Sequence, residues 1–234
     1  MVSSGVVSGR RILFSILYAT ALSWLPANVE SLNLTLYYEG LCPDCHEFIL
    51  GQLWPTFGKL EEYLQLDLLP FGNAHMKVSN GTIAFYCQHG PDECLVNEVH
   101  TCAVKYVHPQ RKLLDFVACT LRQDDPAQAG EPCARKVGTD WAVLDRCSRG
   151  PEGIQLLYEM GKRTREHQPP IQYVPYVEIN EYHNETMQNL VEEDLFHFVC
   201  KLLEPSPPKV CMNGGVPGRH CVMSSDSHFL SEIS

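Results

Sequence analysis

Positive charge is scarce in this chain. Against 28 Asp and Glu stand 18 Lys and Arg, a formal net charge of −10. So few cations to neutralise phosphates exclude nucleic acid, or an anionic membrane surface, as the main partner. Long apolar runs are lacking as well. The one candidate, residues 12–22, follows Arg10 and Arg11 and is too short to cross a bilayer, so residues 1–27 are expected to be a secretory signal peptide and no membrane span is expected. There is no internal repeat, and no second C-x-x-C accompanies Cys42-Pro43-Asp44-Cys45. The zinc tetrahedron that two such pairs would build is therefore missing.

What remains is a chain of 234 residues with 11 cysteines, long enough to bury a core without depending on disulfides. The secretory route nevertheless lets disulfides persist. It also makes the N-x-[ST] sequons at Asn33, Asn80 and Asn184 expected glycosylation sites.

Leu32, Leu34 and Leu36 alternate with Asn33, Thr35 and Tyr37 as in a strand. After Cys42-Pro43-Asp44-Cys45, the apolar residues Cys45, Phe48, Ile49 and Leu53 recur on one helical face, and Pro55 is expected to end that helix after Trp54. Residues 64–71 form a second strand. The stretch from about 87 to 168 carries six cysteines and helical periodicity, and reads as a helical insertion pinned by disulfides. A strand around Pro175 and a helix over 187–203 follow, before Pro205, Pro207 and Pro208. The order is that of an α/β, thioredoxin-like fold of the DsbA type, with a helical insertion in a domain over 28–204. Residues 205–234, rich in Gly, Ser and Pro, form a tail.

A lone C-x-x-C is half a zinc site, a structural disulfide or a redox pair. The strand-then-helix context favours the last, since a helix N-terminus stabilises a thiolate at Cys42. Residues 87–102 then supply Cys87-Gln88-His89-Gly90, Glu93-Cys94, Asn97 and Cys102 at the spacing C-Q-H-G-x2-E-C-x2-N-x4-C. This pattern resembles the signature of the gamma-interferon-inducible lysosomal thiol reductase family. Leu36-Tyr37-Tyr38-Glu39, Pro70-Phe71-Gly72-Asn73-Ala74 and Tyr173-Val174-Pro175 extend the likeness over most of the chain.

The resemblance implies a lysosomal oxidoreductase, reached through the secretory pathway with secretion as a second destination. It would reduce protein disulfides at acidic pH and assist degradation and antigen processing. Its partners would be disulfide-containing proteins and small thiols as electron donors, with no metal and no organic cofactor. Cys42 would be the attacking thiolate and Cys45 the resolving thiol. Val174 and Pro175 would bind substrate, Pro175 as the cis-proline that faces such pairs and leaves the Val174 backbone free to pair with a substrate strand. Pro43 and Asp44 depart from the small residues common between the family's cysteines. The tail 205–234 resembles a removable propeptide.

Other residues admit two readings. His46 is a partner of the thiolate or a solvated helix residue. Glu39 accepts the Cys45 proton or simply ends a strand. His89 and Glu93 are read as local hydrogen-bonding groups and not as metal ligands. Setting Cys42 and Cys45 apart leaves an odd number of cysteines, so at least one is free or joins two chains. Cys221 is the first candidate, and a disulfide-linked dimer of the precursor is one outcome. The rival functions are a silent disulfide-stapled binding protein and a disulfide oxidase or isomerase.

Overall fold

The computed structural model describes residue 1 and residues 31–213. The expected signal peptide and Cys221 lie outside the described residues. The fold centres on β1 (Leu32–Tyr38). It pairs in parallel with β2 (Leu64–Pro70), Leu32 opposite Leu64 and Tyr38 opposite Pro70, and antiparallel with β5 (Tyr176–Ile179), Leu36 opposite Val177. The strand order is β2-β1-β5. Leu34 and Leu36 are fully buried, as the alternation predicts, but Thr35 and Tyr37 are buried too. The second face of the sheet is covered: the Tyr37 hydroxyl reaches Glu178 and its ring meets His167 and Tyr176 edge-on.

The link from β1 to β2 corrects one expectation. Pro55 does not end the helix. Residues 43–60 wind continuously through α1 (Pro43–Phe48), a π-helical stretch (Ile49–Leu53) and α2 (Trp54–Leu60). A proline inside an α-helix lacks a donor and strikes the carbonyl four residues back. Here Pro55 falls in the first turn of α2, and the wider π-turn before it shifts the carbonyl ladder, with the Trp54 N–H bonding to the Ile49 carbonyl.

A hairpin follows that the strand assignments omitted: β3 (His75–Ser79) and β4 (Thr82–Tyr86), antiparallel, joined at Asn80-Gly81. Both turn residues have positive φ, the geometry that Asn-Gly favours in a two-residue hairpin. The insertion is helical throughout: α3 (Pro91–Tyr106), α4 (Gln110–Leu121), a 3₁₀ turn (Pro126–Gln128), α5 (Gly130–Val137), α6 (Trp141–Ser148) and α7 (Pro151–Glu166). Its disulfides link separate elements. Cys102–Cys147 joins α3 to α6, Cys119–Cys133 joins α4 to α5, and Cys87–Cys94 fastens the loop after β4 to the start of α3. One network ties the insertion to the sheet: the Tyr38 hydroxyl bonds His100 Nδ1, and His100 Nε2 bonds Thr120 Oγ1. All three residues are buried, and burial drives the His100 pKa down to about 3.

The chain closes with α8 (Glu185–Leu202) and α9 (Lys209–Asn213). α8 breaks at Asp194, and the Gln52 side chain fills the gap, donating to the Glu193 carbonyl and accepting from the Leu195 N–H. Cys200 in α8 is bonded to Cys211 in α9. The folded unit therefore runs past Glu204 to at least residue 211, which moves the edge that the proline cluster suggested. Apart from the single bridge between Ile179 and Tyr182, nothing extends the sheet beyond β5 among the described residues. The whole is an α/β, thioredoxin-like arrangement with a helical insertion.

Candidate active site

Cys42 is the N-cap of α1, with Pro43 in the first helical turn, where its missing N–H costs nothing. The extended backbone at Cys42 turns its sulfur back over the helix start, and the Cys45 N–H donates to Cys42 Sγ at 3.3 Å. Eight other cysteines of the described residues are joined in pairs, whereas Cys42 and Cys45 are not joined. Their surroundings push them apart chemically. The Cys42 pKa is lowered to about 7, chiefly by the Cys45 side chain; burial opposes this, the backbone N–H groups of Cys45 and Asp44 assist, and the Asp44 charge opposes. Burial first, and then the neighbouring Cys42, hold the fully buried Cys45 thiol far above its ordinary value.

The strand around Pro175 meets this pair. The Val174-Pro175 peptide is cis, and Cys42 Sγ lies 3.9 Å from the Val174 carbonyl oxygen. Beside it opens a cavity of about 480 Å³ between the 43–60 helix, the Tyr173–Pro175 segment and α8. Four carboxylates line it: Asp44, Glu47, Glu185 and Glu192. Among the described residues, neither lysine nor arginine does. His46 points elsewhere, its Nε2 donating to the Gly40 carbonyl at 2.8 Å.

Glu39 is no ordinary strand-end carboxylate, because it is fully buried. Its pKa rises to about 7, through burial first and then the Glu93 charge. Oε1 accepts from the Asn73 N–H at 2.6 Å, which requires the chain at Gly72 to pass very close. A Cβ on Gly72 would sit 2.3 Å from Glu39 Cγ, and φ there is +57°. Glu39 Oε2 lies 3.4 Å from His89 Nδ1, within ion-pair range but not aligned as a hydrogen bond. His89 Nδ1 bonds Glu93 Oε2 at 2.5 Å, and the His89 N–H donates to Glu93 Oε1. Burial works against charging His89, but these carboxylates outweigh it and raise its pKa.

The family model described as "Gamma interferon inducible lysosomal thiol reductase (GILT)" matches residues 33–137. The gamma-interferon-inducible lysosomal thiol reductase of Carassius auratus is 36% identical over 189 residues, 80% of this chain and 74% of that protein. The chain belongs to the GILT family. The Mus musculus protein of the same name is 31% identical, covering 76% of this chain and 71% of its own length. A "Gamma-interferon-responsive lysosomal thiol protein" of Arabidopsis thaliana is 33% identical, covering 76% and 75%. Among solved structures, a thioredoxin-like oxidoreductase from Silicibacter pomeroyi DSS-3 aligns with a TM-score of 0.46 at 11% identity, covering 70% of this chain and 86% of that one.

Within this GILT chain the signature residues are largely scaffold. Asn97 Oδ1 accepts from the Gly40 N–H at 2.8 Å, bracing the turn before Cys42, and Cys102 is in the α3–α6 disulfide. The His89–Glu93 pairing is the local hydrogen bonding expected of them. What sequence reasoning missed is that Glu39, some fifty residues away, joins them. Asn33 and Asn80 are exposed, whereas the Asn184 carboxamide caps α8, accepting from the Met187 N–H and donating to the Tyr182 hydroxyl.

Proposed function

We propose that this GILT protein is a thiol–disulfide oxidoreductase that reduces disulfides of protein substrates, working in the acidic lysosome after passage through the secretory pathway. One observation carries the reading: two adjacent thiols, unbonded in a disulfide-rich chain, with Cys42 stabilised as thiolate and Cys45 held protonated.

The Cys42 thiolate attacks one sulfur of the substrate disulfide, and the other sulfur leaves as a thiolate that takes up a proton. Cys45 then loses its proton and attacks Cys42 Sγ of the mixed disulfide. A Cys42–Cys45 disulfide forms and the second substrate sulfur departs reduced. Glu39, buried beside the pair with its pKa raised to about 7, is largely protonated at pH 5, so the proton that Cys45 loses passes to the departing substrate sulfur, and only the ionised fraction of Glu39, about 1%, relays it. Two electrons from small thiols restore the dithiol. Val174 and Pro175 flank the reacting sulfur and seat the substrate backbone. At pH 5 a pKa near 7 leaves about 1% thiolate, against roughly 0.03% for an ordinary cysteine near 8.5.

The test is non-reducing electrophoresis after mixing with a disulfide-bonded protein at pH 5. Cys45→Ser should accumulate a mixed disulfide and Cys42→Ser should be inert. Accumulation with Cys42→Ser instead would overturn the roles, and a wild-type protein that reduces no disulfide would overturn the function. Residues 205–234 are proposed as a tail whose part beyond Asn213 is dispensable for catalysis.

A further inference from the structure

We propose that Glu39, His89 and Glu93 form a binding site for one divalent cation of the zinc class, adjoining the Cys42–Cys45 pair. The three residues each offer a ligand atom, and these atoms all lie within 4.8 Å of one another. The two carboxylates are oriented alike. Each has Oε1 tied by a backbone N–H, that of Asn73 for Glu39 and that of His89 for Glu93, and each presents Oε2 to His89 Nδ1. Such outer contacts set ligand carboxylates in place at metal sites.

The electrostatics call for a cation. Both carboxylates are fully buried, and a single imidazole faces them. Nδ1 carries at most one proton, which Glu93 Oε2 receives at 2.5 Å, while Glu39 Oε2 has no hydrogen-bond donor. A buried carboxylate oxygen with no donor is costly. An ion at the meeting point of Nδ1 and the two Oε2 atoms would displace the Nδ1 proton and satisfy both oxygens at once.

The donor set selects the metal. One imidazole nitrogen with two carboxylates suits Zn²⁺ at about 2.0–2.2 Å, with water in the fourth position. Calcium asks for six to eight oxygens, and magnesium for an octahedron of them. Access is available through His89, whose side chain is 31% exposed, while the Cys87–Cys94 disulfide fixes the loop that carries it. Because the ionised fraction of the same Glu39 relays the Cys45 proton in the proposed mechanism, occupancy would withdraw that relay and slow the second step.

The experiment titrates zinc at pH 7 into the full chain carrying Cys42→Ser and Cys45→Ser, so that no thiolate of the pair contributes. Competition with a chromophoric chelator reads affinity, and thermal melting reads stabilisation. We expect one Zn²⁺ per chain and a zinc-dependent rise in Tm that magnesium does not reproduce. Adding His89→Ala or Glu93→Gln should weaken binding at least tenfold, of the order seen when a metal site loses a contributing group. Circular dichroism checks that these variants are folded, and the melting shift stands independently of them. Absence of saturable binding, binding indifferent to both substitutions, or binding seen only with Cys42 and Cys45 intact would overturn the site.

Discussion

The ten described cysteines fall into two populations that differ in what surrounds them as well as in sequence spacing. Cys42 and Cys45 sit three residues apart on a single helix start, where the Cys45 side chain and then backbone N–H groups favour the thiolate of Cys42, and burial suppresses that of Cys45. Cys102 and Cys147, 45 residues apart, are buried and bonded to each other where two helices of the insertion meet. A bond between the first pair closes almost no loop and constrains little. The second removes much of the unfolded chain's freedom. Chemistry and stability are thus assigned to different cysteines by local environment.

Breaking the structural side of that comparison should give the largest stability effect. Replacing Cys102 and Cys147 together by Ala should cost about 2–5 kcal/mol, seen as a large fall in Tm, whereas Cys42→Ser should leave Tm nearly unchanged while abolishing activity. Ending the chain after Glu204 should cost somewhat less, about 2–3 kcal/mol for a short closed loop, because Cys200 would lose Cys211. A chain ending at Asn213 should keep both stability and activity. Equal melting of the two truncations would show that the Cys200–Cys211 link adds nothing.

Two histidines sharpen the contrast through pH. His100 is buried neutral with its pKa depressed to about 3, so its contribution is present above about 6.5 and is lost as pH falls toward 3. By pH 5 the loss is on the order of 2 kcal/mol. Burial also opposes charging His167, but Glu178 at 2.7 Å and the Pro169 carbonyl prevail and raise its pKa. Its contribution is full below about 6.5 and fades as pH rises through the raised value. His167→Gln should therefore destabilise by about 1.5–3 kcal/mol at pH 5 and by less at pH 8. His100→Gln should flatten the decline of Tm between pH 7 and 4. The reverse pH dependence in either variant would contradict these partners.

The smallest expected effect belongs to Asp44. Its charge opposes the Cys42 thiolate, so Asp44→Asn should lower the Cys42 pKa and raise the rate of iodoacetamide alkylation at pH 5 a few-fold, read by peptide mapping. An unmoved titration would mean that the Cys45 side chain and the backbone amides set the thiolate without the Asp44 charge.

Much of this was legible in advance because it is local. Alternation marked β1, three-and-four spacing marked the closing helix, and the spacing from Cys87 to Cys102 carried the family resemblance. The β3–β4 hairpin was equally local: Asn80-Gly81 sits between Met76, Val78 and Ile83, Phe85, and that turn signal was available but unused. Pro55 misled for a different reason. Whether a proline ends a helix depends on whether the preceding turn can widen, and Gln52, in the widened turn, is held by the break in α8, more than 140 residues away.

By itself the sequence determined which cysteines lie at a helix start, which residues alternate, and where the disulfide-rich insertion falls, since these follow from spacing along one chain. Only the tertiary structure decided that Cys211 belongs to the folded unit and that Val174 faces Cys42. It alone decided, too, that Glu39 meets His89 and Glu93. Those relations depend on distances between segments far apart in sequence, and on how far burial in a common interior strips water from the groups it brings together.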